Sequence, residues 1–167
     1  PSKEKDLLRL KNIIAAAKRK ADFVIFSVHW GPNMLYEPLS EVVELAHQVI
    51  DFGADLIHGH SAHLFQGIEI YKGKPIFYDC GDFVDDYYVD PEPELRNDQQ
   101  LLFRVKINAA AKKIESIELI PALINQCQVN KAAGIDFEMI NEKMKKRSAK
   151  FGTAVVKEGN TLVVKFG

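Results

Sequence analysis

Apolar residues recur at helical spacing across residues 6–20, where Leu7, Leu10, Ile14 and Ala17 share a stripe while Lys11, Lys18 and Arg19 fall on other faces. That spacing predicts an amphipathic helix. The pattern then tightens into an almost unbroken apolar run, Phe23, Val24, Ile25, Phe26 and Val28. A short β-favouring run of this kind predicts a strand buried on both faces, as in a parallel sheet. A loop with Gly31, Pro32 and Pro38 leads into a second helix over residues 39–52. Its stripe is Val42, Leu45, Ala46, Val49 and Ile50, and Gly53 supplies the stop. Residues 55–58 predict a second strand, entering Gly59 and His60. Strand, helix and strand form a βαβ unit, whose crossover is right-handed in nearly all proteins. Its strands point the same way, so the loops after Val28 and after Ile57 open on one edge of the sheet. In open α/β sheets that edge is where ligands bind.

Beyond His63 the pattern becomes antiparallel. Residues 67–71 and 75–78 flank Lys72-Gly73-Lys74 and predict a hairpin. Residues 101–107 and 113–120 predict two more strands. A last helix over 136–151 places Phe137, Ile140, Met144 and Phe151 on one side. Residues 153–157 and 161–165 flank Gly159-Asn160, a strong hairpin signal. The expectation is one mixed α/β domain over residues 1–167, a parallel piece followed by antiparallel pieces.

Composition narrows the function classes. The chain has 167 residues, 47% apolar and 27% charged, which is globular composition. Its 22 basic and 23 acidic residues leave a net charge of −1, which argues against a nucleic-acid partner, since such binders carry a basic excess. No apolar run approaches the roughly 20 residues that span a bilayer. Two cysteines, Cys80 and Cys127, supply neither a disulfide framework nor a zinc-finger pattern. The chain begins at Pro1 and its first methionine is Met34, so it is expected to be a processed product or a piece of a longer protein, with its cellular location left open.

The histidines carry the chemistry. His29 follows the first predicted strand, and His58, His60 and His63 cluster at the end of the second. Imidazole nitrogen is a good ligand for zinc, iron, manganese and related ions. Neighbouring strand ends lie about 5 Å apart, so both loops can reach one cation, and His29, His60 and His63 are the candidate ligands. A histidine at a loop entrance also serves as an ordinary satisfied polar residue, and only the clustering favours a metal. His58 lies on the strand itself, as a buried or supporting group, and His47 belongs to the second helix in a packing or surface role. Acidic residues crowd from Asp79 to Asp98, including Asp82, Asp85, Asp86, Asp90, Glu92 and Glu94. Most of that stretch reads as a solvated acidic loop. Asp82, between Gly81 and Phe83, can turn towards a site. Cys80 reads as packing rather than as a nucleophile, the lysine-rich end of the last helix as a solvated face, and Trp30 as a pocket wall or a core cap.

Several segments now line up in order: His29-Trp30-Gly31, Gly53-Ala54-Asp55-Leu56-Ile57, Gly59-His60-Ser61-Ala62-His63, Gln66-Gly67-Ile68-Glu69, the run from Tyr71 to Tyr78, and Gly81-Asp82-Phe83. Together they resemble the bacterial poly-γ-glutamate capsule-synthesis (CapA-type) proteins, which look like members of the calcineurin-like metallophosphoesterase superfamily. The resemblance covers at least residues 21–84, and the ending of the chain also looks like that family's tail. It implies a four-layer α/β/β/α sandwich with two metals at the sheet edge. His29 fits the superfamily's lone histidine after a strand, and His60 and His63 fit its later Gly-His-x-His element, spaced here one residue longer as Gly-His-x-x-His. The family usually has asparagine where this chain has Asp82.

The superfamily's first ligands, an Asp-x-His, a Gly-Asp and a Gly-Asn element, do not occur before His29. The chain therefore looks like the carboxyl-terminal portion of such a domain, with the missing amino-terminal part as its first partner. The resemblance implies a metal-dependent phosphoesterase-like hydrolase using Mn, Fe or Zn on a phosphoester or polymer-precursor substrate. His29, His60 and His63 would be ligands, and His58 a catalytic proton donor. The alternative is a non-catalytic accessory or binding component of poly-γ-glutamate or other envelope-polymer synthesis. Alone, the chain is expected to bind a divalent ion weakly or not at all.

Overall fold

The computed structural model describes residues 3–85 and 95–165. In chain order the elements are α1 (Lys3–Lys18), β1 (Ile25–His29), α2 (Ser40–Asp51), β2 (Leu56–His60), β3 (Ile68–Tyr71), β4 (Lys74–Phe77), β5 (Gln99–Asn108), β6 (Lys113–Asn125), β7 (Gln128–Lys131), α3 (Gly134–Ala149), β8 (Ala154–Glu158) and β9 (Thr161–Lys165). They form a mixed α/β structure with two sheets. The first has strand order β1-β2-β4-β3, with β1, β2 and β4 parallel and β3 antiparallel to β4. The second is antiparallel, in the order β5-β6-β9-β8, with β7 paired to β6.

Alternation along the strands sorts the core into two parts. Ile57, Ile76 and Tyr78 face the helices, where they pack with Ile14 of α1 and with Ala46, Val49 and Ile50 of α2. Leu56 and Phe77 point the other way. They meet Leu101, Ile117, Leu119 and Leu162 of the second sheet, in a core that Phe137, Ile140 and Met144 of α3 also enter. The opposite face of the second sheet exposes Arg104 and Lys106.

Two expectations are revised. The apolar run before His29 forms β1, but this strand is not buried on both faces: it is an edge of its sheet, and Ile25 is 54% exposed. The sixth strand runs on to Asn125 and turns back as β7. That turn is made by Gln126 and Cys127, both in the left-handed region (φ 49° and 57°) without a glycine, so the residues carried no turn signal. The hairpins at 68–77 and 154–165 form as the pattern predicts.

The open edges of the two sheets lie on one side of the molecule. Ile25 of β1 and Leu102, Phe103, Val105 and Ile107 of β5 line an open groove of about 520 Å³ that ends at His58, His60 and Asp82.

Candidate metal centre at the sheet edge

The parallel ladder places the first two imidazoles. β1 and β2 pair without a shift, so His29 lies directly opposite His60. Their rings meet edge to face, with centroids 5.2 Å apart. His58 precedes His60 by two positions and shares its face of the strand, and the two ring centroids are 5.5 Å apart. His58 Nδ1 lies 3.0 Å from Oγ of Ser27, its register partner on β1. Burial pushes the His58 pKa down, and the neighbouring His60 adds to the shift.

The loop after β2 is held from several sides. Ser61 Oγ donates to the Gly31 carbonyl at 3.0 Å and lies 3.2 Å from His29 Nε2. Asp79 is 2% exposed. Its carboxylate accepts the Ala62 N–H at 2.7 Å and the Gly81 N–H at 2.9 Å. Burial raises the Asp79 pKa, against the pull of those two bonds. His63 takes a left-handed backbone (φ 60°) and directs Nδ1 to Asp82 Oδ1 at 2.7 Å.

The structure thus brings His29, His60 and His58 into one row, and sets His63 beside Asp82. His47 stands apart, bonded to Glu69 at 2.9 Å and stacked on Tyr71 at 3.9 Å. Cys80 is buried in the core, and burial pushes its thiol well above the ordinary range, which suits packing. Trp30 donates from Nε1 to the Tyr78 carbonyl at 2.8 Å and packs on the helix side of the sheet. The lysine-rich end of α3 is not wholly a solvated face: Arg147 is half-buried between the rings of Tyr36 and Phe65. Asp86, Asp90, Glu92 and Glu94 of the acidic stretch lie outside the described residues. Sequence reasoning missed Ser27, Ser61 and Gln100. The first two carried a signal, as polar residues one strand period from His29 or directly after His60; Gln100 carried none.

Neutral imidazole suits first-row divalent ions, so the donor type fits a metal. The donor count does not complete a site. Among the described residues, no group of three or more His, Cys, Asp or Glu side chains is placed to hold a metal ion.

The sequence model of the bacterial capsule synthesis protein family, PGA_cap, matches residues 1–87. The chain belongs to this family. A probable polyglutamine synthesis accessory protein of Mycobacterium tuberculosis is 36% identical over 151 residues, 90% of this chain and 40% of the relative. The PGA biosynthesis protein CapA of Bacillus subtilis is 42% identical over 74 residues, 44% of this chain and 20% of that protein. The capsule biosynthesis protein CapA of Bacillus anthracis is 41% identical over 69 residues, 41% of this chain and 17% of the relative. The chain therefore spans at most about 40% of the length of these relatives.

Proposed function

We propose that this PGA_cap chain supplies the histidine side of a metal-dependent phosphoesterase-like hydrolase acting in poly-γ-glutamate capsule synthesis. The observation that carries the reading is the unshifted register that sets His29 against His60 at the carboxyl ends of parallel strands. In this reading His29, His60 and His63 are nitrogen donors to Mn, Fe or Zn, and the remaining donors come from the part of the polypeptide outside this chain. That part would also cover the groove between the open sheet edges and complete a four-layer sandwich. His58, between Ser27 and His60, is the proposed proton donor to a leaving oxygen. The substrate class is a phosphoester or a phosphorylated polymer precursor.

The test uses the full-length protein. With Mn2+ supplied, His60→Ala should lower phosphoester turnover at least 100-fold; an unchanged rate overturns the assignment. This chain alone should hold a divalent ion weakly, and about two tightly bound equivalents would contradict the shared-site reading. The 36% identical relative named as a polyglutamine synthesis accessory protein favours a second reading, an accessory component that binds envelope polymer or its precursors without turning them over. Silence of the full-length protein towards a phosphoester panel with Mn2+, Fe2+ and Zn2+ would favour it.

A further inference from the structure

The side chain that ties the candidate site together comes from the other sheet. Gln100, near the start of β5, is 0% exposed. Its carboxamide uses both ends. Oε1 accepts the Asp82 N–H at 3.1 Å and the Phe83 N–H at 3.5 Å. Nε2 donates to the His63 carbonyl at 3.2 Å and to the Asn97 carbonyl at 2.8 Å. This arrangement fixes which end is which: exchanging N and O would set an NH2 group against two N–H donors and an oxygen against two carbonyls. Gly81 makes room for it, because a Cβ there would lie 2.1 Å from Gln100 Oε1 and the backbone is left-handed (φ +72°).

The two loops so joined carry His63 and Asp82, whose side chains meet at 2.7 Å. An ionised carboxylate only accepts, so the Nδ1 facing it must carry a proton. The partner of one ring nitrogen thereby decides the state of the other.

We propose that Gln100 is the positioning residue of this site: its buried carboxamide joins the His63 loop to the Asp82 loop and so sets the tautomer of His63, with the proton on Nδ1 and the lone pair on Nε2. The functional value of this arrangement rests on the reading of His63 as a nitrogen donor, but the tautomer can be read without any metal. Apolar replacement of Gln100 strands the Asp82 and Phe83 N–H groups and the two carbonyls, and releases the loops from each other. Asn in place of Asp82 keeps an acceptor for Nδ1–H, whereas Ala removes it.

The experiment is long-range 1H–15N correlation of full-length protein labelled with 15N-histidine, above the imidazole titration range and without added metal. Wild type and Asp82→Asn should show His63 as the Nδ1–H tautomer. Asp82→Ala and Gln100→Met should shift it towards Nε2–H, because no carboxylate then holds the proton on Nδ1. An Nε2–H signal in wild type overturns the proposal, as does an unchanged tautomer in folded Gln100→Met. If Gln100→Met fails to fold, Asp82→Ala decides, since Asp82 lies at a loop and its truncation leaves the core intact; retention of Nδ1–H there overturns the proposal. Titration of wild type with Mn2+ alone separates the two readings. The tautomer pattern without paramagnetic broadening at His29 and His60 supports the Gln100 frame while removing the metal reading.

Discussion

Gly59 has no space for a side chain. A Cβ there would sit 2.1 Å from the Tyr78 carbonyl oxygen and 2.8 Å from that of Phe77, both backbone atoms that cannot swing away. Gly59→Ala should therefore push β2 from β4 and cost about 3 kcal/mol, the upper range of overpacking, with His58 and His60 displaced together. A thermal melt within a degree of wild type would contradict this. Asp55 offers a second test. Its burial would raise its pKa, but bonds from Lys18 and from Lys74 at 2.5 Å, with the Val24 N–H at 2.9 Å, outweigh burial and hold it below its ordinary 3.8. A depressed carboxylate stabilises the fold above its unfolded-state pKa, and the contribution disappears as pH falls through the folded-state value. Asp55→Asn should lose about 2 kcal/mol at neutral pH, and urea melts of variant and wild type should converge as pH falls below 3.8 and through the lowered folded-state value. At this scale the sequence was most informative where chemistry and spacing coincided, as at His29 and His60. It was silent about Gln100, because nothing local distinguishes a glutamine that bridges two loops from one that faces water.

Elements were legible in proportion to their periodicity. α2, with five apolar residues on one stripe, and the hairpin around Gly159-Asn160 form where the pattern places them. The run before His29 was read correctly as a strand and wrongly as fully buried, since an apolar run cannot tell whether a neighbouring strand lies within the same stretch of chain. The segment joining β1 to α2 shows a further tie. Gln66 Nε2 donates to the Leu35 carbonyl at 2.9 Å, and the Met34 N–H bonds the Ala62 carbonyl at 2.9 Å. Arg147 of α3 stacks 4.6 Å from the Tyr36 ring and 4.7 Å from the Phe65 ring, and donates to the Phe65 carbonyl. Arg147→Met should remove a planar cation from between two rings, cost about 2 kcal/mol and speed protease cleavage within residues 31–39. Arg147→Lys should not restore resistance, because an ammonium lacks the flat stacking face. Equal cleavage rates for wild type and Arg147→Met would remove the clamp.

At the scale of the molecule, two sheets present open edges to one groove, and the matched relatives are at least twice as long as the chain. An apolar edge of this kind invites another strand. Ile25→Lys distinguishes a solvent edge from a covered one. In this chain alone it should change stability by less than about 0.5 kcal/mol, whereas in the full-length protein it should cost about 2 kcal/mol or more, as a buried charge does. Equal effects in both would mean that nothing covers β1. The pairing of His29 with His60 has a consequence for lineage. Their separation is dictated by the backbone ladder of two adjoining strands, so it survives any change of surrounding side chains that leaves the ladder intact. Distant descendants of this domain should then betray themselves less by overall similarity than by two imidazoles kept in step across a pair of parallel strands.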